Sequence, residues 1–262
     1  MTEPESRTLS AKKASAEELI RSLPEAGPAY LMDALENPEI GEEHVVLILR
    51  NRAATEPVLR KIAGNPRWVR AYDVKAGLVM HRRTPHHTAL NLAKFLFWRD
   101  LARVADDWFL FPPLRRLAEK VLSDRIPEMA VGEKIAFARI AGRGLIPRLL
   151  DERDTPVLEA LLWNGRLTEQ DVSRKAGDAA TPPETLAAIA QHPRWSGCYG
   201  VRVALARNPR APLPLSLGFL TRMTVSDLVA LADNPETPQA LKLACERVLS
   251  DEAWRRRHDE EF

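Results

Sequence analysis

Arginine and tryptophan stand side by side twice in this chain, as Pro66-Arg67-Trp68 and as Pro193-Arg194-Trp195. Each Trp is followed four positions later by a tyrosine, Tyr72 and Tyr199. Trp and Arg dominate binding hot spots because each joins a large contact area to a directional polar group. Arg67, Trp68, Arg70 and Tyr72, with Arg194, Trp195 and Tyr199, are therefore the first candidates for a binding surface. The competing role for the two tryptophans is packing between helices, since aromatic side chains carry much of the energy of a core. Their presence in both places fits that role well.

The first of these elements lies in a basic window. Between residues 50 and 83 stand Arg50, Arg52, Arg60, Lys61, Arg67, Arg70, Lys75, His81, Arg82 and Arg83, against only Glu56 and Asp73. Such a window is either a solvated helix face or a surface for an anion, acidic protein or phosphate backbone. The expectation is that at least four of Arg50, Arg52, Arg67, Arg70, Arg82 and Arg83 share one face, and that the partner is a protein acidic there. Reversing Arg67 and Arg70 to Glu is then expected to slow association at low ionic strength. The second stretch is less basic, with Arg194, Arg202, Arg207 and Arg210.

Other chemistries find little support. His81, His86 and His87 cluster, but no Cys or acid sits at ligand spacing and adjacent side chains point apart, so no metal is expected. Cys198 and Cys245 lie far apart at no metal-ligand spacing and read as free thiols in a reducing compartment. Asp106-Asp107 and the acids from Asp151 to Asp154 read as surface loops. There is no Gly-rich phosphate loop, no Gly-x-Ser-x-Gly and no paired Cys and His at a known spacing. The expectation is a protein without cofactor that is not an enzyme.

What positions these residues is a repeat. Residues 59–85 match 186–212 at 11 of 27 positions without a gap, and 100–124 match 227–251 at 10 of 25, both at an offset of 127. Identity at one fixed offset in two separate blocks is the mark of internal duplication. Ser15-Ala-Glu-Glu18 forms a capping box for a helix ending before Pro24. Helices are then expected from about Pro28 to Leu35 and from Gly41 to Arg50. Thr84-Pro85, Thr155-Pro156, Thr181-Pro182 and Thr237-Pro238 read as an N-cap hydroxyl followed by a first helical Pro. Pro66 is expected to open a helix carrying Arg67 to Tyr72. Leu241, Ala244, Cys245, Val248 and Leu249 form one apolar stripe, which Leu114, Leu117, Ala118, Val121 and Leu122 repeat at the same offset. A hairpin of such short helices cannot cover its own stripe and must stack on neighbours.

Composition agrees with an all-α class. Aromatics are 6% of 262 residues, and no window shows clean two-residue alternation. A net charge of +2, from 38 basic and 36 acidic residues, is too balanced to announce a nucleic-acid protein. Met1–Ala14 lacks the apolar core of a signal peptide, and no apolar run reaches membrane length, so a cytoplasmic protein without membrane contact is expected.

Ala230-Leu-Ala-Asp-Asn-Pro-Glu-Thr-Pro238 and Ala204-Leu-Ala-Arg-Asn-Pro209 resemble the leucine-rich-repeat-variant branch of the HEAT-like bacterial α-solenoids, over about residues 30–250. The resemblance implies an α-solenoid, expected here as a right-handed stack of short helical hairpins, and it is specific for fold and not for function. A characterised type in that branch carries an amino-terminal cysteine cluster for an iron–sulfur centre. This chain has no cysteine before Cys198, so no such cluster is implied. HEAT-like di-iron hydroxylases use His-Glu pairs, and none of the six histidines precedes a Glu. HEAT-like DNA glycosylases place Trp, Asp and Arg around a damaged base; Trp98, Arg99 and Asp100 are the right residue types without a motif match. The expected organisation is a tail over 1–14, one solenoid over 15–254 and a charged tail over 255–262. Within the solenoid, copy one spans about 30–124, connecting repeats 125–159, and copy two about 160–251. The expected function is a non-catalytic protein-binding scaffold with a basic stripe. The alternatives are a nucleic-acid-binding or HEAT-like DNA-repair protein, and an accessory chaperone or chromophore-lyase-like subunit.

Overall fold

The computed structural model describes residues 11–251, which fall into two compact units divided between Arg125 and Ile126. Among the described residues there are eighteen α-helices, three short 3-10 turns and no β-strand. The protein is all-α, and its many short, packed helices are compatible with a helical repeat.

The first unit contains α1 (Ala16–Ser22), α2 (Pro28–Ala34), α3 (Glu42–Arg50), α4 (Glu56–Ala63), α5 (Pro66–Val69), α6 (Tyr72–Met80), α7 (His86–Ala93), α8 (Trp98–Asp106) and α9 (Pro112–Arg125). The second contains α10 (Val131–Ile140), α11 (Ile146–Leu150), α12 (Thr155–Leu162), α13 (Glu169–Gly177), α14 (Pro183–Gln191), α15 (Tyr199–Arg207), α16 (Leu213–Leu220), α17 (Val225–Asp233) and α18 (Gln239–Ser250). Helices α13, α15, α16 and α17 begin and end at the sequence offset from α3, α6, α7 and α8, to the residue.

Local chemistry starts these helices. The Ser15 capping box forms, with Glu18 accepting from the Ser15 amide at 2.9 Å. The threonines of the Thr-Pro pairs do not cap as expected. Pro85, Pro182, Pro212 and Pro238 are themselves the N-caps, with φ between −51° and −62° and ψ between 127° and 146°. An N-cap needs an extended backbone and a free carbonyl, which proline supplies at its fixed φ. The preceding Thr84, Thr181 and Thr237 turn inward and are buried. Thr155 is the first residue of α12, with Asp154 at the N-cap position. The expected helix from Pro66 through Tyr72 breaks in two: α5 ends at Val69 and α6 starts at Tyr72.

One device recurs at the helix ends. At positions 37, 51, 65, 81 and 107, and again 127 residues on at 164, 178, 192, 208 and 234, a side-chain Oδ1 or Nδ1 accepts the amide two residues on. Asn, Asp and His all serve, because each places an acceptor at the reach of an Asx turn. Four of the asparagines add a donor. Asn37 Nδ2 donates to the Ala11 and Ala14 carbonyls, both at 2.8 Å, and Asn51 to Leu23 and Ala26 at 2.7 and 2.9 Å. Asn164 donates to Ala138 and Ala141, and Asn208 to Ala176 and Asp178. Each ties its own turn to carbonyls at an earlier turn or helix end, where the helical ladder runs out. The tail expected over 1–14 is therefore packed at its inner end, where Ala11 and Ala14 are buried. The tail expected over 255–262 lies outside the described residues.

Candidate binding cleft

The first unit holds a cleft of about 770 Å³. Helix α3 brings Arg50 to it, and the following turn brings Arg52. Tyr72 and Asp73 open α6, while Arg82 and Arg83 follow its end; α8 contributes Asp100 and Arg103. Five arginines thus face two aspartates. The helices can approach so closely because Gly77 of α6 lies against Leu49 of α3: a Cβ at Gly77 would sit 2.9 Å from Leu49 Cδ1.

The two acids are not equally free. Asp100 accepts from the Tyr72 hydroxyl and pairs with Arg103 at 3.5 Å. Burial and that bond to Asp100 push the Tyr72 hydroxyl up to about 12, so it stays a donor at any physiological pH. The same oxygen accepts the Phe97 amide at 3.0 Å, tying the start of α8 to α6. Arg50, Arg52 and Arg82, all exposed, have no carboxylate within ion-pair distance among the described residues. Their charge is unneutralised and available to an anion, and the concave wall strengthens its field relative to a flat surface.

Aromatic side chains stand against this cleft. Phe97 packs on Tyr72 with ring centroids 4.3 Å apart, and the Arg82 guanidinium lies 3.8 Å over the Phe109 ring. Arg115 lies 4.1 Å over Trp108. Phe95, Phe97, Trp108 and Phe109 are between 64% and 80% exposed, whereas Leu96 and Leu110 among them are buried. The leucines anchor the segments flanking α8 and leave the aromatics outside.

Of the residues marked by sequence, Tyr72, Arg82 and Arg83 meet at the cleft. Arg50 and Arg52 join them, giving four of the six arginines expected to share a face. Arg67 and Arg70 are exposed but are not among its walls. Trp68 and Trp195, at 6% and 1% exposure, belong to the core and offer almost no area to a partner. Trp195 Nε1 donates to the Leu162 carbonyl at 2.9 Å. Arg194 covers the Trp195 ring at 4.1 Å and donates to the Leu167 carbonyl. Tyr199, in the second unit, repeats the pattern of Tyr72: its hydroxyl bonds Asp227 and accepts the Thr224 amide. Of the histidine cluster, His86 stacks on Phe111 at 3.9 Å and His87 bonds Thr88.

Sequence reasoning missed the exposed aromatics and Arg103. The signal was present, since six of the thirteen Phe and Trp residues fall between positions 95 and 111. At the offset of 127 stand Arg222, Thr224, Val225, Pro235, Glu236 and Pro238.

No protein family, no curated protein and no solved structure matches the chain.

Proposed function

We propose that the chain is a non-catalytic binding scaffold, an α-solenoid of the HEAT-like, leucine-rich-repeat-variant kind that arose by duplication. Its first unit takes an acidic segment of a partner protein into the arginine cleft. The observation that carries this reading is the convergence of Arg50, Arg52, Arg82 and Arg83 from two helix ends. All four are exposed, and among the described residues only Arg83 reaches a backbone carbonyl, that of Ala54 at 3.4 Å. Guanidinium groups bind carboxylates through paired, directional hydrogen bonds, so several on one concave wall favour a ligand with several carboxylates. The expected partner is a protein; the cell compartment expected is the cytoplasm. Arg67 and Arg70 add to the positive field of the same unit.

Fluorescence anisotropy of a labelled glutamate-rich peptide against the full chain tests this. The peptide is expected to bind the parent and to lose about tenfold or more in affinity to R50E/R52E. Reversing Arg67 and Arg70 should cost less. Tighter binding of a single-stranded oligonucleotide than of the peptide, or indifference of the peptide to R50E/R52E, would sink the reading.

A further inference from the structure

An all-acidic ligand would use the arginines and ignore what borders them. Two of the exposed rings touch the cleft wall directly, Phe97 through Tyr72 and Phe109 through Arg82. Phe95 and Trp108 extend the same two segments, before and after α8. Large rings left in water carry a standing cost, which a partner's apolar side chain removes by covering them. Each face of the site thus asks for a different group: the cleft for carboxylates, the border for an apolar or aromatic side chain. Arg82 belongs to both, its charge toward the cleft and its plane on Phe109, so the two demands meet within one side chain.

Resting on the acidic-segment reading above, we infer that the segment is mixed: carboxylates enter the arginine cleft while an apolar anchor lies on Phe97 and Phe109. Charge selects the partner and speeds encounter, and the anchor slows its release. The choice of a peptide over a single-stranded nucleic acid follows from the rings. Phe109 already has a guanidinium on one face and Phe97 a tyrosine, which suits a compact side chain better than a row of successive stacked bases.

The test compares two labelled peptides on the full chain, one of Glu and Asp with two Phe, the other with Ser in place of Phe. An oligo(dT) of matched charge is the third probe. The Phe peptide is expected to bind at least about tenfold tighter than the Ser peptide. F97A/F109A, which alters two mostly solvent-exposed side chains, should bring the two peptides to within about twofold of each other. Circular dichroism melts confirm that the variant folds. Equal affinity of the two peptides, or a preference that survives F97A/F109A, overturns the anchor while leaving the cleft standing. Loss of all peptide binding in the parent, or stronger binding of oligo(dT), overturns the cleft reading beneath it.

Discussion

The arginine–tryptophan pairs show how one residue type can be claimed by two roles. Trp68 and Trp195 went to the core, and their arginines to its surface. Trp68→Ala and Trp195→Ala should each cost about 3–5 kcal/mol, the usual range for deleting a large buried ring. Chemical denaturation at neutral pH measures it; a variant as stable as the parent would overturn the packing role. The histidines offer a second residue-scale prediction. His81 and His192 accept backbone amides through Nδ1, so each must be unprotonated on that atom. Burial lowers both, with Arg194 adding to the effect at His192 and Arg83 at His81, against a backbone hydrogen bond at Asn51 that raises His81. The unfolded chain takes up these protons near the ordinary 6.5 while the folded one resists. Stability from the pair is therefore full above that pH and is lost as pH falls through 6.5 toward the depressed folded values. Melting temperature should drop between about pH 7 and pH 5, and His192→Asn, which keeps an acceptor for the Arg194 amide, should flatten part of the drop. An unchanged slope in that variant would remove His192 from the account.

At the scale of elements, the helix-end device separates into a turn and a clamp. Asn208 does both: its Oδ1 accepts the Arg210 amide and its Nδ2 holds two carbonyls. Asn208→Asp keeps the acceptor and removes the donor, leaving the buried Ala176 carbonyl beside a carboxylate. It should cost about 1–3 kcal/mol or more, whereas Asn234→Asp, at an end where the side chain is seen only as an acceptor, should cost little. Equal costs in urea unfolding would mean that the turn alone matters. Much of the element layer was legible in sequence. The Ser15 box, the α2 and α3 spans and the Leu241–Leu249 stripe follow from local rules of capping and period. The Asn-Pro pairs were visible only as breaks, because the partners of Asn37 or Asn208 lie far back along the chain, where local patterns say nothing. The Thr-Pro reading failed for a related reason: a hydroxyl next to a helix start looks like a cap unless one knows that the site faces inward. The cleft was half legible. Its charge could be counted, but Gly77 lying on Leu49 and the outward turn of Phe97 and Phe109 depend on how helices cross.

At the scale of the molecule, the fixed offset makes a quantitative demand. Asn37 and Asn164 form matching pairs of bonds, at 2.8 and 2.8 Å and at 2.8 and 3.0 Å. Their Asn→Ala variants should therefore cost amounts within about 1 kcal/mol of each other if two-state unfolding holds. A large asymmetry in denaturant melts would mean that the two units have ceased to use the device alike. The clamps also all point one way along the chain. Asn51 reaches carbonyls at Leu23 and Ala26, 28 and 25 residues earlier, and Asn208 reaches Ala176, 32 residues earlier. During synthesis, then, each turn waits for a residue not yet made. At about 5–20 residues per second, the wait is on the order of a few seconds per step. A nascent chain would always carry one open end near the ribosome and closed turns behind it, so that completion travels from the amino terminus as a latch following the peptidyl transferase. Ribosome-stalled chains whose emerged portion stops just short of Asn51 should be cut by protease around Leu23–Ala26, and those that expose Asn51 should resist.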